Sequence, residues 1–364
     1  MKLTIEEERV LAVFANSSYE ETRRITGWSR GRIYALVMRC GARKTEARIM
    51  ERSADRRRRQ QETLAEIIES TATCDVLDFM DGTPDKSVSL IVTSPPYNLH
   101  KSYGGGPSSD AMRFTYYVGF LMQVVSEAAR VLKEGGVLFL QVGATRDETG
   151  VLMPLDIAIF DAIKQTGLTF QNRIAWVVPH GLTPKKRLSG RYETALVFSK
   201  GPSPANFNAN AVRTPQKQPD KRAYKGDRKG ALSGHPLGAW PSDVMHISNV
   251  GHNASGGQAT AHPAQMPEEL ARRAVQLYTM PGDLVLDCFS GSGTTHKVCI
   301  ETGRSFVGAD LHYEDIRATR LAKAGLASFC TLPGVTDQSV AVWQAEARKV
   351  EYHAGDQLDL LDAA

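Results

Sequence analysis

Cysteine is scarce in this chain. Cys40, Cys74, Cys288, Cys299 and Cys330 are odd in number, widely spaced and outside any metal-ligand pattern, so they read as reduced packing residues, and no metal is expected. Long apolar runs are missing too. No stretch could cross a bilayer, and the opening Met1-Lys2-Leu3-Thr4-Ile5-Glu6-Glu7-Glu8 lacks a secretory pattern, so a cytoplasmic location is expected. Neither sign of charge dominates: 44 Lys plus Arg stand against 40 Asp plus Glu, a net of +4, too small a sum to argue for any partner. Distribution says more. Arginines crowd the first sixty residues, Lys and Arg recur between Lys185 and Lys229, and the last ten residues carry only acidic charge. Those local basic patches are the electrostatic case for nucleic acid.

At 364 residues the chain exceeds the usual single-domain size. It divides into a helical module over 1–60, a core over 61–330 with a loop-rich insertion at 200–261, and a tail over 331–364. Residues 4–16 and 18–25 have helical patterns, and the turn Thr26-Gly27-Trp28 leads to a third helix from Ser29 to Arg39. Ile33, Leu36 and Val37 share its buried face, while Arg30, Arg32 and Arg39 project elsewhere. That layout resembles a helix-turn-helix whose last helix enters a major groove; a helical cap with a solvated basic face is the alternative. Beyond it, Arg56-Arg57-Arg58-Arg59 sits in a polar linker.

The chain is organised around Leu90-Ile91-Val92-Thr93-Ser94-Pro95-Pro96-Tyr97-Asn98, an apolar run that reads as a buried strand stopping at a rigid tetrapeptide. Two prolines fix φ near −65° and supply no N–H, so the Ser94 and Pro95 carbonyls form an acceptor cradle. Ser94 adds a hydroxyl, and Tyr97 offers a flat face to a planar ring. The glycine-rich segment from His100 to Asp110 reads as a lid. A helix over 116–132, ended by Gly135-Gly136, precedes a strand over 137–142; a helix over 155–165 and strands over 170–178 and 192–199 follow. This alternation predicts a doubly wound α/β sheet. From Gly201 to Ala261 prolines, glycines, asparagines and cations replace the periodic pattern.

A second motif lies downstream. Asp283-Leu284-Val285-Leu286-Asp287-Cys288-Phe289-Ser290-Gly291-Ser292-Gly293-Thr294-Thr295 reads as a strand, a glycine turn and a helix, in which glycine lets the backbone approach a ligand and the helix N-terminus favours an anionic group. Ser305-Phe306-Val307-Gly308-Ala309-Asp310 is a further strand ending in an acid.

Together these motifs resemble the DNA amino-methyltransferases, whose signature is Asp, Asn or Ser followed by Pro-Pro and an aromatic residue. The order of signature, recognition region and cofactor motif is that of their β class, and the resemblance spans about residues 72–325. It implies a doubly wound mixed sheet of the Rossmann-like S-adenosylmethionine-dependent methyltransferase type. It also implies methylation of the exocyclic amine of a flipped base in double-stranded DNA, as in restriction-modification systems. Ser94, Pro95, Pro96 and Tyr97 would be catalytic. Asp287, Phe289, Ser290, Gly291, Gly293 and Thr294 would bind the cofactor's methionine end, with His262 on a segment closing over it. Asp310 would meet the ribose. Thr73 to Leu77 resembles the short strand beside the cofactor adenine, with Asp75 as its contact. The insertion falls where the family recognises its target, with Arg213, Lys217 and Arg222 as candidate readers and Lys185, Lys186, Arg187 and Arg191 toward phosphates. Ser at the first signature position favours N4 of cytosine; N6 of adenine is the alternative, and a DNA-binding regulator with an inactive fold is the alternative of another class. The tail's Gln357-Leu358-Asp359-Leu360-Leu361 resembles the peptide by which bacterial replication proteins grip the sliding clamp; a terminal helical turn packing Leu358 and Leu361 on the core is the other reading. A homodimer is an open option.

Overall fold

In a computed structural model of the chain, the structure describes residues 3–17, 19–28, 33, 36, 37, 40, 70–103, 112–179, 181, 183–250, 259–325 and 330–332. Arg30, Arg32, the run 56–59, the glycines at 104–106 and the motif at 357–361 lie outside them. The strands are β1 (Ser70–Ala72), β2 (Val88–Thr93), β3 (Leu132–Val142), β4 (Ala144–Arg146), β5 (Leu152–Pro154), β6 (Leu168–Val177), β7 (Tyr192–Lys200), β8 (Val244–His246), β9 (Leu284–Asp287), β10 (Ser305–Ala309) and β11 (Cys330–Leu332). The helices are α1 (Ile5–Asn16), α2 (Tyr19–Thr26), α3 (Val76–Gly82), α4 (Phe114–Val131), α5 (Leu155–Gln165), α6 (Glu268–Tyr278), α7 (Thr294–Glu301) and α8 (Glu314–Lys323).

Among the described residues, nine strands form one sheet in the order β11-β1-β10-β9-β2-β3-β7-β6-β8, and β4 and β5 make a separate hairpin. β7 runs antiparallel to both its neighbours, and every other pair in the large sheet is parallel. Successive strand residues point to opposite faces, and here both faces are buried. Ile91 joins Leu138, Leu140, Leu196 and Phe198 in a layer covered by α3, α4 and α5. Leu90 and Val92 join Val137, Phe139, Ala195 and Val197 in the opposite layer, covered by α6 and α7. Burial of each such side chain stabilises the fold by about 1.5–3 kcal/mol, which is why β2 is apolar without alternation. β2 and β9 are neighbours although nearly two hundred residues separate them, so the strand order reverses between them. A crevice at the carboxyl ends follows from that switch point.

α1 begins with a capping box, Thr4 Oγ1 accepting from Glu7 N and Glu7 from Thr4 N. Val10, Phe14, Trp28, Ile33, Leu36 and Val37 all belong to the first apolar layer, so the N-terminal helices share the core of the sheet. Two expectations need correction. Gly135 and Gly136 do not end a helix: α4 stops at Val131, β3 starts at Leu132, and the glycines make a bulge while the register moves from Val88↔Leu132 to Leu90↔Val137. Gly135 has φ +73°, and a Cβ there would come within 2.6 Å of Ala205 Cβ. Residues 73–77 are not a strand either; β1 ends at Ala72, and Asp75 accepts from Leu77 N to cap α3. An Asp side chain that satisfies an orphan helix donor turns the chain out of the sheet.

Candidate active site

The tetrapeptide Ser94 to Tyr97 leaves the carboxyl end of β2 and is held from three sides. Tyr117 Oη donates to the Pro96 carbonyl at 2.5 Å, Thr145 Oγ1 to the Asn98 carbonyl at 2.9 Å, and the Asn98 amide exchanges two hydrogen bonds with the Met112 backbone. Asn98 takes φ +59°, a conformation Asn tolerates better than most residues. Tyr97 is seated against Gly143, where a Cβ would lie 2.8 Å from the ring. Its hydroxyl donates to Glu193 Oε2 at 2.9 Å and lies 3.4 Å from Ser94 Oγ. Gln141 Nε2 donates to the same Glu193 oxygen. Burial and the adjacent Glu193 carboxylate hold the Tyr97 phenol well above its ordinary pKa, so it stays protonated.

The second half of the site hangs from β9 and β10. Asp287 closes β9, buried, and its two oxygens accept from Thr93 Oγ1 at 2.9 Å and Thr295 Oγ1 at 2.7 Å. Burial raises its pKa to about 6, against the pull of those hydroxyls and the Phe289 N–H. Because Thr93 is the last residue of β2, this carboxylate pins the tetrapeptide to the glycine turn. Gly291 turns with φ +45°, its N–H donating to Asp310 Oδ2 at 2.8 Å. Behind the turn lies Arg317, fully buried, donating to the Gly291 carbonyl and to Thr71 Oγ1. Gly293 backs onto Arg317 rather than the cleft, a Cβ there meeting Arg317 Cγ at 3.4 Å. Arg320 bonds Ser292, Thr294 and Glu268. Burial raises the pKa of Asp310. His262 stands over Gly291, its pKa lowered to about 4, mainly by burial and then by Lys101.

These groups line one cleft of about 280 Å³, which brings Ser94, Pro95, Pro96 and Tyr97 together with His262, Asp287, Phe289, Ser290, Gly291, Thr294 and Asp310. An apolar chamber of about 170 Å³ adjoins it, sharing Pro96, Phe289 and Asp310 and walled by Val76, Tyr117 and Phe120. Asp75 lines neither space, whereas its neighbours Cys74 and Val76 line the chamber. Lys185, Lys186 and Arg187 are exposed on the β6–β7 loop, at the same edge as the cleft. Lys217 and Arg222 are exposed, and Arg222 donates to the Gly230 carbonyl. Arg213 has other work: it bonds Asn210 and the Gly238 carbonyl and stacks over Trp240. Trp240 meets Phe207, which meets Tyr278 at the end of α6, so this cluster sits at the opposite edge of the sheet. Among the described residues no His, Cys, Asp or Glu cluster could hold a metal. Sequence reading missed Glu193, Gln141, Arg317 and Arg320. A buried polar Gln141 inside the apolar run 137–142 was the available signal for the first pair.

A mixed sheet with one reversed strand and a cleft at its switch point defines a Rossmann-like fold of the S-adenosylmethionine-dependent methyltransferase type. Solved structures share it: the PvuII DNA methyltransferase (cytosine-N4-specific) matches with a TM-score of 0.52 and 24% identity, over 71% of this chain and 86% of that one. A putative DNA modification methylase of Thermus thermophilus, solved with S-adenosyl-L-methionine, matches with a TM-score of 0.50 and 23% identity, over 74% and 100%. At such identities the likeness speaks for the fold alone. A family model described as DNA methylase matches residues 88–321, and the chain belongs to that N6/N4 methylase family. It is 42% identical over 240 residues to the type II methyltransferase M.BglII of Bacillus subtilis, covering 66% of this chain and 64% of that protein's length. It is 30% identical to the DNA adenine methyltransferase YhdJ of Escherichia coli K12, covering 67% and 78%.

Proposed function

We propose that this protein methylates the exocyclic amine of a base in double-stranded DNA, with S-adenosylmethionine as cofactor, and that the base is cytosine, modified at N4. The observation that carries the reading is the Thr93–Asp287–Thr295 bridge, which sets the Ser94 to Tyr97 cradle and the Gly291 turn on one cleft. The residues present suit the cofactor. Ser290 Oγ is buried with no hydrogen-bond partner among the described residues, a Cβ on Gly291 would fill the cradle 2.7 Å from His262 Nε2, and the apolar chamber beside Asp310 suits a flat heterocycle on a sugar. His262, Phe289, Ser290, Gly291, Thr294 and Asp310 would hold it. When bound, it supplies an electrophilic methyl group on a sulfonium.

The chain's own residues prepare the nucleophile. An exocyclic amine is weakly nucleophilic because its lone pair is delocalised into the ring; acceptors at Ser94 Oγ and the Pro95 carbonyl favour a pyramidal nitrogen with a localised pair. Tyr97 stacks the extruded base, an interaction worth about 1–3 kcal/mol in comparable base–aromatic pairs. Tyr97→Ala is therefore expected to slow methyl transfer about 10- to 100-fold in single-turnover assays while cofactor affinity persists. Lys185, Lys186 and Arg187, exposed at the cleft edge, would neutralise phosphates and steepen the salt dependence of DNA binding. Ser94 at the first signature position supports cytosine, and the adenine specificity in the name of YhdJ supports the second reading. Nucleosides from DNA treated with protein and cofactor, separated by mass spectrometry, decide between them: N4-methylcytosine is expected, N6-methyladenine would move the target to adenine, and label found only in RNA or protein would overturn the reading.

A further inference from the structure

We infer that Glu193 is a positioning residue that sets the direction of the hydrogen-bond chain through Tyr97 and Ser94, so that Ser94 Oγ and the Pro95 carbonyl present only acceptors to the cleft and select a base bearing an exocyclic amine over one bearing an exocyclic oxygen. The inference rests on the amine-methylation reading and gives it a source of selectivity.

The number of protons available fixes the direction of the chain. A hydroxyl has one proton to donate, and the 3.4 Å contact between Ser94 Oγ and Tyr97 Oη could run either way. Serine can therefore face a ligand as donor or acceptor. Glu193 removes that freedom. Two donors, the Tyr97 hydroxyl at 2.9 Å and the Gln141 amide, converge on its Oε2, as they do on an ionised carboxylate, which only accepts. With its single proton given to Glu193, the Tyr97 oxygen can only accept from Ser94. Ser94, its proton spent in turn, turns lone pairs toward the cleft, beside the Pro95 carbonyl, which is an acceptor by nature. An –NH₂ group satisfies both. A carbonyl oxygen in the same place would meet lone pairs alone, and a site built this way rejects the wrong group more strongly than it rewards the right one.

Of the other described carboxylates on the cleft, Asp287 is tied to Thr93, Thr295 and the Phe289 N–H, and Asp310 to the backbone of Gly291 and His312. Among them, Glu193 is the one that reaches the tetrapeptide's side chains. It does so from the start of β7, where the Val142↔Thr194 and Gln141↔Ala195 pairings bring it beside the end of β3.

The test uses Glu193→Gln, which keeps size and an acceptor but can also donate, and Tyr97→Phe, which removes the O–H that links Glu193 to Ser94 and keeps the ring. Duplexes carry the methylation site mapped with wild-type protein, with the target base intact or replaced by its oxo counterpart: uracil for cytosine, hypoxanthine for adenine. Affinities are measured without cofactor, and the cost of the altered base pair is common to all proteins, so it cancels when preferences are compared. Both variants are expected to shift the amine-over-oxo preference toward the oxo base by about tenfold or more. The double variant should shift it no further, and affinity for S-adenosylmethionine should be unchanged. A preference within about twofold of wild type in either folded variant would overturn the inference. Failure of wild-type protein to methylate any DNA amine would instead overturn the function on which it rests.

Discussion

Gly291→Val is expected to abolish binding of S-adenosylmethionine while leaving a folded protein. Gly291 takes φ +45°, where a β-branched residue is strained by about 1–2 kcal/mol or more. The added Cβ would stand 2.7 Å from His262 Nε2, closer than van der Waals contact permits, and its two methyls would project into the space the ligand needs. The turn cannot shift to make room, because its N–H is bonded to Asp310 and its carbonyl to the buried Arg317. Isothermal titration should show no heat of cofactor binding, with circular dichroism close to wild type. Retained affinity within about tenfold would mean that the cofactor does not approach this turn.

Acid should unfold the protein through His296, and His296→Leu should resist it. The ring is fully buried, stacked on Phe306 at 4.7 Å between centroids, and neither nitrogen has a hydrogen-bond partner among the described residues. Burial, with Arg317 nearby, lowers its pKa from 6.5 to about 3. A base held neutral in the native state binds fewer protons than in the unfolded chain, so its stability contribution is complete above pH 6.5 and is lost as pH falls toward 3. His262, lowered to about 4, acts with the same sign. Asp287 opposes them: its pKa rises from 3.8 to about 6, so its contribution grows as pH falls between those values and is complete by pH 3.8. Below that point the Asp287 contribution grows no further, while the histidine's loss continues toward pH 3. Urea unfolding across this range should show the His296→Leu advantage over wild type widening as pH falls from 6.5 to 3, by an amount on the order of several kcal/mol. Parallel curves would show that His296 does not carry the effect.

Both ends of the cleft were legible in the sequence because proline pairs and glycine turns act on their own backbone and need no distant partner. Strand positions were legible for a similar reason, since apolar runs such as 90–92 mark strands buried on both faces. Glu193 was not. It lies 96 residues from Tyr97, and only the antiparallel pairing of β3 with β7 makes them neighbours; a strand's first polar residue reads as solvent-facing until its register is known. Gly135 and Gly136 misled for the opposite reason. Their local reading as a helix stop is sound, but the close approach of Ala205 gives them a use inside the strand. Arg213 was read by the company it keeps in a basic segment, whereas Trp240 and two oxygens of its own loop engage it.

The bridge through Asp287 makes the width of the cleft rigid. Because one carboxylate ties the last residue of β2 to the helix that follows β9, the separation between the Ser94 to Tyr97 segment and the Gly291 turn is a dimension of the sheet itself, held by strand pairing at Leu90↔Val285 and Ile91↔Leu286. Loops can adapt to a bulkier alkyl group; a strand register cannot. Under the proposed function, sulfonium analogues bearing ethyl or longer chains are expected to bind in the same cleft yet react more slowly than the methyl cofactor in single-turnover assays.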